Sequence, residues 1–205
     1  MTALEAAAAL IASHPADRRI LIGICGAPGS GKSTFAAALA ARVGGMVLPM
    51  DGFHLPQARL VELGRRERMG APDTFDVDGF VTLLGSLRDA FGRPGEPLRA
   101  PGFDRTVEES QPGAIPIEPG VRILILEGNY LLHDADGWER VAPLLHATIY
   151  VHLDHVTRHD RLIARHIAFG KTPVAAREWA LGTDERNALL IAAGAPRADL
   201  VLELD

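Results

Sequence analysis

The chain has 205 residues, 47% hydrophobic and 23% charged, with a formal net charge of −5 at neutral pH. This length suits one domain spanning 1–205, with room for a small lid, and the composition is that of a soluble globular protein with a substantial core. The acidic balance argues against broad nucleic-acid binding, no stretch approaches the roughly 18 apolar residues of a membrane span, and a single cysteine excludes an internal disulfide and suits the cytoplasm.

Ala6 to Ala12 is apolar but short, with Glu5 before it and no basic segment. It reads as an opening amphipathic helix, not a signal peptide. Arg19 to Cys25 reads as a buried strand, with Cys25 a small buried hydrophobe. Gly26, Ala27, Pro28, Gly29, Ser30, Gly31, Lys32, Ser33 and Thr34 follow, and they match G-x-x-x-x-G-K-[ST]. Amides of such a loop turn inward around phosphate oxygens, the lysine reaches the outer phosphates, and the serine hydroxyl joins the shell of a magnesium ion. The chain holds only two lysines, Lys32 and Lys171. A chance match is expected roughly once in several hundred chains of this composition. Ser33 to Val43 is alanine-rich and reads as a helix, so strand, loop and helix occur in the order the motif needs. A glycine-rich turn without a ligand is the competing reading.

Met46 to Met50 reads as a second strand that ends at Asp51-Gly52-Phe53-His54. Asp51 is a candidate base for an attacking hydroxyl, because phosphoryl transfer asks the protein mainly for alignment, charge stabilisation and a proton acceptor. Asp-Gly is also a common turn dipeptide, so a turn role competes. A short helix is expected over Leu55 to Leu63, then a polar, turn-rich stretch over Arg65 to Asp76. Val77 to Phe91 has helical spacing in Phe80, Leu83, Leu84 and Leu87. Gly92 to Gly120 is rich in Pro and Gly and is expected to be loop with short extended pieces. The polar loops 68–76 and 101–109 mix aromatic, acidic and basic groups and are candidates for reading an acceptor. His54 and Tyr130 each follow a strand end and join them.

Val121 to Leu126 is the clearest buried strand, and Glu127 closes it where a phosphate loop needs a second acidic group for magnesium. A solvated carboxylate at a strand end is the alternative. His146 to Leu153 is another strand, and His155 to Phe169 a helix with Arg158, Arg161 and Arg165 on one face and Val156, Ile163 and Ile167 largely on another. Such a basic face can close over a triphosphate, with Gly170-Lys171 as a hinge. Val174 to Leu181 and Asp184 to Ala193 read as helices, and Leu200 to Leu204 as a last strand. Apolar strands alternating with helices predict a parallel sheet covered on both faces, with ligands at the strands' carboxyl ends.

Together these segments resemble the phosphoribulokinase, uridine kinase and pantothenate kinase family. The likeness spans nearly the whole chain and is nearest to the bacterial branch labelled fructose-transport-system kinases, whose members show similar Met-Asp-Gly-Phe-His and Glu-Gly-Asn-Tyr strings. The segment 70–76 resembles the family's Pro-x-x-[FY]-Asp string, and 101–104 its Pro-x-[FY]-[DS] acceptor loop. Arg161, Arg165 and Gly170-Lys171 look like its arginine lid, and 195–199 is similar to its segment near the adenine.

The resemblance implies a P-loop NTPase fold, α/β in three α/β/α layers, with a five-stranded parallel sheet and a helical lid over roughly 155–172. It also implies an ATP-dependent kinase that moves the γ-phosphate to a hydroxyl of a small metabolite. Its cofactors would be ATP and Mg2+. Lys32, Asp51, Arg161 and Arg165 would act in catalysis, and Ser33 and Glu127 would hold the metal. The loop residues 26–34, Arg165 and Pro196 would bind nucleotide. Asp51, His54, Asp73, Phe75, Phe103, Asp104, Arg105, Glu127, Asn129 and Tyr130 would bind the acceptor, a sugar such as fructose, a nucleoside or a pantothenate-like compound. The chain departs from uridine kinases at Phe103-Asp104-Arg105, where a tyrosine-centred string is usual. Family members often self-associate, so a homodimer is an expectation. A non-enzymatic ATP-binding regulator tied to sugar transport is the rival reading. A switch GTPase is disfavoured, since both lysines follow glycine and Asn-Lys-x-Asp is absent.

Overall fold

The computed structural model describes residues 1–93 and 95–204. Thr2 and Glu5 close a reciprocal capping box at the start of α1 (Ala3–Ala12), which satisfies two orphan N–H groups of its first turn. β1 (Ile20–Cys25) runs straight into the glycine loop and then α2 (Lys32–Val43). β2 (Met46–Pro49), β5 (Ile123–Gly128), β6 (Ala147–His152) and β7 (Leu200–Glu203) join β1 in one sheet of order β2-β5-β1-β6-β7, with every pairing parallel. β1 lies at the point where the strand order turns outward in both directions. Crevices at such a point open at the carboxyl ends of the strands.

The central strands β1 and β5 are buried along their whole length, as continuous apolar runs in a parallel sheet require. Their alternation sorts the core into two layers. Ile20, Ile22 and Ile24 pack with Ala7, Ile11, Phe35 and Leu39 under α1 and α2. Leu21, Leu48, Leu124 and Leu126 face the other way, against Phe80, Leu84 and Leu87 of α4 (Val77–Asp89) and against Trp138. This is the expected α/β arrangement of five parallel strands with helices on both faces.

Four segments differ from the sequence reading. The stretch expected to be loop contains an antiparallel hairpin, β3 (Leu98–Asp104) and β4 (Glu109–Ile117), separate from the main sheet. Its prolines and glycines read as strand breakers. In a two-stranded ribbon both strands are edges, and a register shift between Ala100 and Gly102 together with positive φ at Gly113 (64°) absorbs them. Second, α6 (Pro173–Trp179) and α7 (Glu185–Ala192) are joined by a π-helical turn, Ala180–Asp184, with no break between them. Third, the face of α5 (His155–Ala168) that turns inward carries Arg158 and Leu162, whereas Val156 and Ile167 are exposed. α3 (Gln57–Glu62) is shorter than expected.

Arg19 ties the floor of the sheet together, far from the strands' carboxyl ends. It is 2% exposed and has no carboxylate partner among the described residues. Its guanidinium instead donates to four carbonyls, Val121 O (2.7 Å), Leu87 O (3.1 Å), Glu118 O (2.9 Å) and Pro119 O (3.1 Å). Arg19→Met would take the guanidinium from all four carbonyls, of which Glu118 O keeps its hydrogen bond from Val121 N. We expect a loss of about 2–3 kcal/mol, read as a lower urea midpoint at unchanged slope. A shift under about 0.5 kcal/mol would show that water replaces the guanidinium there.

Candidate active site

The loop after β1 can form only with glycine at particular places. Gly29 and Gly31 have φ of 81° and 85°, in the left-handed region. At Gly26 a Cβ would lie 2.6 Å from Val151 O and 2.8 Å from Ser30 Oγ. The loop is therefore pressed against β6 and turned back on itself. It delivers the chain into α2 with Gly31 at the N-cap and no side-chain cap, so the first amides of α2 keep their donors. A helix start with free amides and a positive dipole end is a seat for phosphate. Ser30 Oγ, buried in the same loop, has no hydrogen-bond partner.

Two strand ends flank this seat. Glu127, next to last in β5, is 8% exposed, and its Oε1 lies 3.7 Å from Lys32 Nζ. Burial raises its pKa above the ordinary carboxylate value, the Lys32 ammonium pulls the other way, and the charge of Asp51 adds to the rise. Ser33 donates a side-chain hydrogen bond to it. Asp51 follows β2 in a 3-10 turn, Met50–Phe53, and its Oδ2 accepts from Arg105 Nη2 at 2.7 Å. The hairpin brings Arg105 there: Ser110 Oγ donates to Gly52 O at 2.6 Å, and a Cβ on Gly52 would sit 2.0 Å from Pro101 O. Only glycine at 52 lets the hairpin settle on the turn that carries Asp51.

The remaining candidates sort by burial. His54 Nδ1 donates to Asp51 O at 2.8 Å, and burial lowers the pKa of the ring. That ring lies between Phe75 (centroids 4.0 Å apart) and Phe103 (4.8 Å). Asp104 Oδ1 accepts from Thr106 N within the hairpin turn. Asn129 carries a buried Oδ1 with no partner, and its carbonyl accepts from Cys25 Sγ. Burial pushes the Cys25 thiol up to about 11, so it is not a nucleophile at neutral pH. Tyr130, expected beside the acceptor, is instead fully buried, and its hydroxyl donates to Gly70 O at 2.5 Å. Its part is to hold the 66–75 segment in place. Asp73 likewise serves that segment, accepting from Arg68 Nη1 at 2.7 Å and facing Arg65 Nε at 3.3 Å. Pro196 is exposed in a 3-10 turn, Ala195–Arg197.

The arginines of α5 divide. Arg158 is 2% exposed and turned away from the expected lid face. It donates to Glu185, whose Oε2 also accepts from His159 at 2.8 Å. Burial works against ionisation of Glu185, but these hydrogen bonds outweigh it and hold its carboxyl below the usual range. His155, His159 and Glu185 bring donor atoms within 4.8 Å of one another, yet the Arg158 charge already occupies that carboxylate. Arg161 does face the loop, since a Cβ on Gly31 would stand 3.5 Å from its Nη1. Arg165 is exposed one turn further on. His166 pairs with Asp184 at 2.7 Å, on the π-helical turn. The sequence reading did not single out Glu185, Asp184 or Ser110. Their only signal is spatial, because each acts on a residue at least 18 positions away in the chain.

Several comparisons bear on this geometry. The sequence profile of the phosphoribulokinase/uridine kinase family matches residues 21–175. A Schizosaccharomyces pombe protein provisionally named a uridine kinase is 35% identical over 185 residues, covering 85% of this chain and 77% of its own. The crystal structure of a protein from Silicibacter sp. TM1040, provisionally named a fructose transport system kinase, superposes with a TM-score of 0.87 at 36% identity. It covers 98% of this chain and 100% of that one. The Saccharomyces cerevisiae protein YFH7 superposes with a TM-score of 0.83 over 98% of each chain, and at 19% identity this is a likeness of fold.

The sign of the Glu127 shift gives a stability test. A carboxyl whose folded pKa is raised favours folding below its ordinary value of 4.5, and that contribution is lost as pH rises through the folded value. Glu127→Gln removes the titration. Measured between pH 4 and 7, the melting temperature of the variant should gain on wild type as pH rises. A difference independent of pH, or one of opposite slope, would show that the Lys32 attraction outweighs burial.

Proposed function

From a chain that belongs to the phosphoribulokinase/uridine kinase family of P-loop ATP-dependent kinases, we infer that the phosphoryl group goes to a hydroxyl of a small metabolite, with Asp51 as its proton acceptor. The observation that carries this reading is the convergence of Lys32, Glu127 and Asp51 at the ends of three strands beside uncapped helix amides. A protein that only bound nucleotide would have no use for a second carboxylate opposite the phosphate seat.

Roles follow from position. The amides of 26–34 and Lys32 hold the β- and γ-phosphates. Ser33 and Glu127 offer hard oxygen donors, which suit Mg2+. Such an ion, when bound, would neutralise charge on the phosphates. Lys32 then exchanges its contact with Glu127 for the phosphates, and both partners of the buried pair remain compensated. Asp51 orients the acceptor hydroxyl and takes its proton. Arg161, against Gly31, adds charge stabilisation, with Arg165 completing it. No helix of the described residues is long and apolar enough to cross a membrane.

Asp51→Asn should lower kcat roughly 10²- to 10⁴-fold in an ADP-release assay with an accepted substrate, while Mg·ATP affinity by calorimetry stays near wild type. A rate within threefold of wild type removes Asp51 from the chemistry. Lys32→Ala should weaken Mg·ATP binding at least tenfold. Retained affinity would mean the amides alone carry the phosphates.

A further inference from the structure

The surroundings of Asp51 say what kind of alcohol fits, and this inference rests on the kinase reading above. Arg105 stands on the hairpin turn, and its guanidinium is drawn onto the Asp51 carboxylate. The other charged groups of that turn are already engaged. Glu108 pairs with Arg66 (2.9 Å), Glu109 accepts from Gln57 N (3.2 Å), and Asp104 accepts from Thr106 N. The side-chain amide of Gln57 also donates to Val107 O and Glu108 O. The turn is thus stitched down, and Arg105 is its one cation directed at the candidate base. Its side chain is 65% exposed, so the pair is weak and readily exchanged.

The aromatic groups nearby are spent on one another. Trp138, Phe75, His54 and Phe103 form a column from the core to the hairpin, with successive centroids 5.7, 4.0 and 4.8 Å apart. The space between Phe75 and Phe103 is filled by the His54 ring, fixed by its hydrogen bond to Asp51 O. The faces that Phe75 and Phe103 turn to His54 are therefore closed to a flat base.

We propose that the acceptor is a small aliphatic polyol carrying an anionic group, a carboxylate or a phosphate, which takes Arg105 from Asp51. The guanidinium is the side chain best shaped for such an exchange, since its fork meets either anion with two parallel hydrogen bonds. Once Arg105 turns to the substrate anion, both oxygens of Asp51 face the hydroxyl. The hydroxyl oxygen bonds to the γ-phosphorus of ATP, the bond from that phosphorus to the β–γ bridging oxygen breaks, ADP leaves with that electron pair, and the hydroxyl proton passes to Asp51. A neutral polyol leaves Arg105 on the carboxylate and reacts more slowly. Recognition and activation of the base are then one event.

The test is an ADP-release assay over three- to six-carbon polyols, the matching aldonic acids, the matching monophosphates, and nucleosides. Binding of Mg·ATP is measured separately by calorimetry. The acids or the monophosphates should exceed their neutral partners at least tenfold in kcat/KM, and the better set identifies the anion. Arg105→Gln should raise KM for that set at least tenfold, and Arg105→Lys should restore part of the loss. The proposal is overturned if a neutral polyol or a nucleoside is the best acceptor. It is also overturned if Arg105→Gln leaves KM unmoved, or if no anionic compound turns over while Mg·ATP binds normally. Failure to bind Mg·ATP would overturn the kinase reading first, and this inference with it.

Discussion

The close contact between the glycine loop and the elements around it governs the rest of the site. At Gly26 there is no room for a side chain against Val151 O, and at Gly29 a Cβ would stand 2.8 Å from Leu162 and 3.1 Å from Arg158 O. The backbone of the loop is therefore wedged between β6 and α5. That wedge sets where α2 begins, and so where its free amides point. It also sets how near α5 comes to the loop, and so where Arg161 stands. A larger residue at either glycine would shift both at once, because packed backbone has no soft direction to yield in.

Lys32 and Glu127 show why such a site is not built for stability. Their side chains are 12% and 10% exposed, and the pair is separated by 3.7 Å, outside good hydrogen-bond geometry. Taking two charges out of water costs more than a loose contact returns, which is the sense of the raised Glu127 pKa. On the proposed reading, phosphate oxygens would take the ammonium and a cation would take the carboxylate. The fold thus carries two poorly matched buried charges, a local conflict of the kind expected at functional sites.

How much of this was legible in the chain depends on how local the chemistry is. The phosphate loop and the acids at strand ends could be read because loop, lysine and strand termini are contiguous in sequence, and β5 shows its burial as an unbroken apolar run. Helical spacing put Arg158, Arg161 and Arg165 on one face. It could not say that Arg158 meets Glu185, since that depends on how α7 packs 27 residues later. Tyr130 follows a strand end just as Asp51 does. Only the return of the 66–75 segment, with Gly70 O in reach of its hydroxyl, turns it inward. The hairpin was hidden by its own prolines, and the contact of Arg105 with Asp51 spans 54 positions. Glycine 52 was visible as half of a turn dipeptide, but its need to admit Pro101 O was not.

The two ends of α5 obey different constraints, and this bears on how an arginine-bearing helix can serve a phosphate seat. Its first half is pinned. Asp154 caps it, Leu162 and Arg158 O press on Gly29, and Arg158 and His159 share Glu185. Its second half holds by the His166–Asp184 pair and otherwise exposes Ile167 and Phe169 before Gly170, whose φ is 93°. Asp184 and Glu185 are adjacent in sequence, yet they meet residues on α5 that lie two helical turns apart. The π-helical turn Ala180–Asp184 ends at this pair, and both carboxylates meet α5. On the proposed kinase reading, closure over a triphosphate would leave Arg161 against Gly31 and pivot beyond Leu162, near the His166–Asp184 pair. On that reading Arg161 would belong to the preformed seat, and Arg165 would be the group whose approach depends on motion.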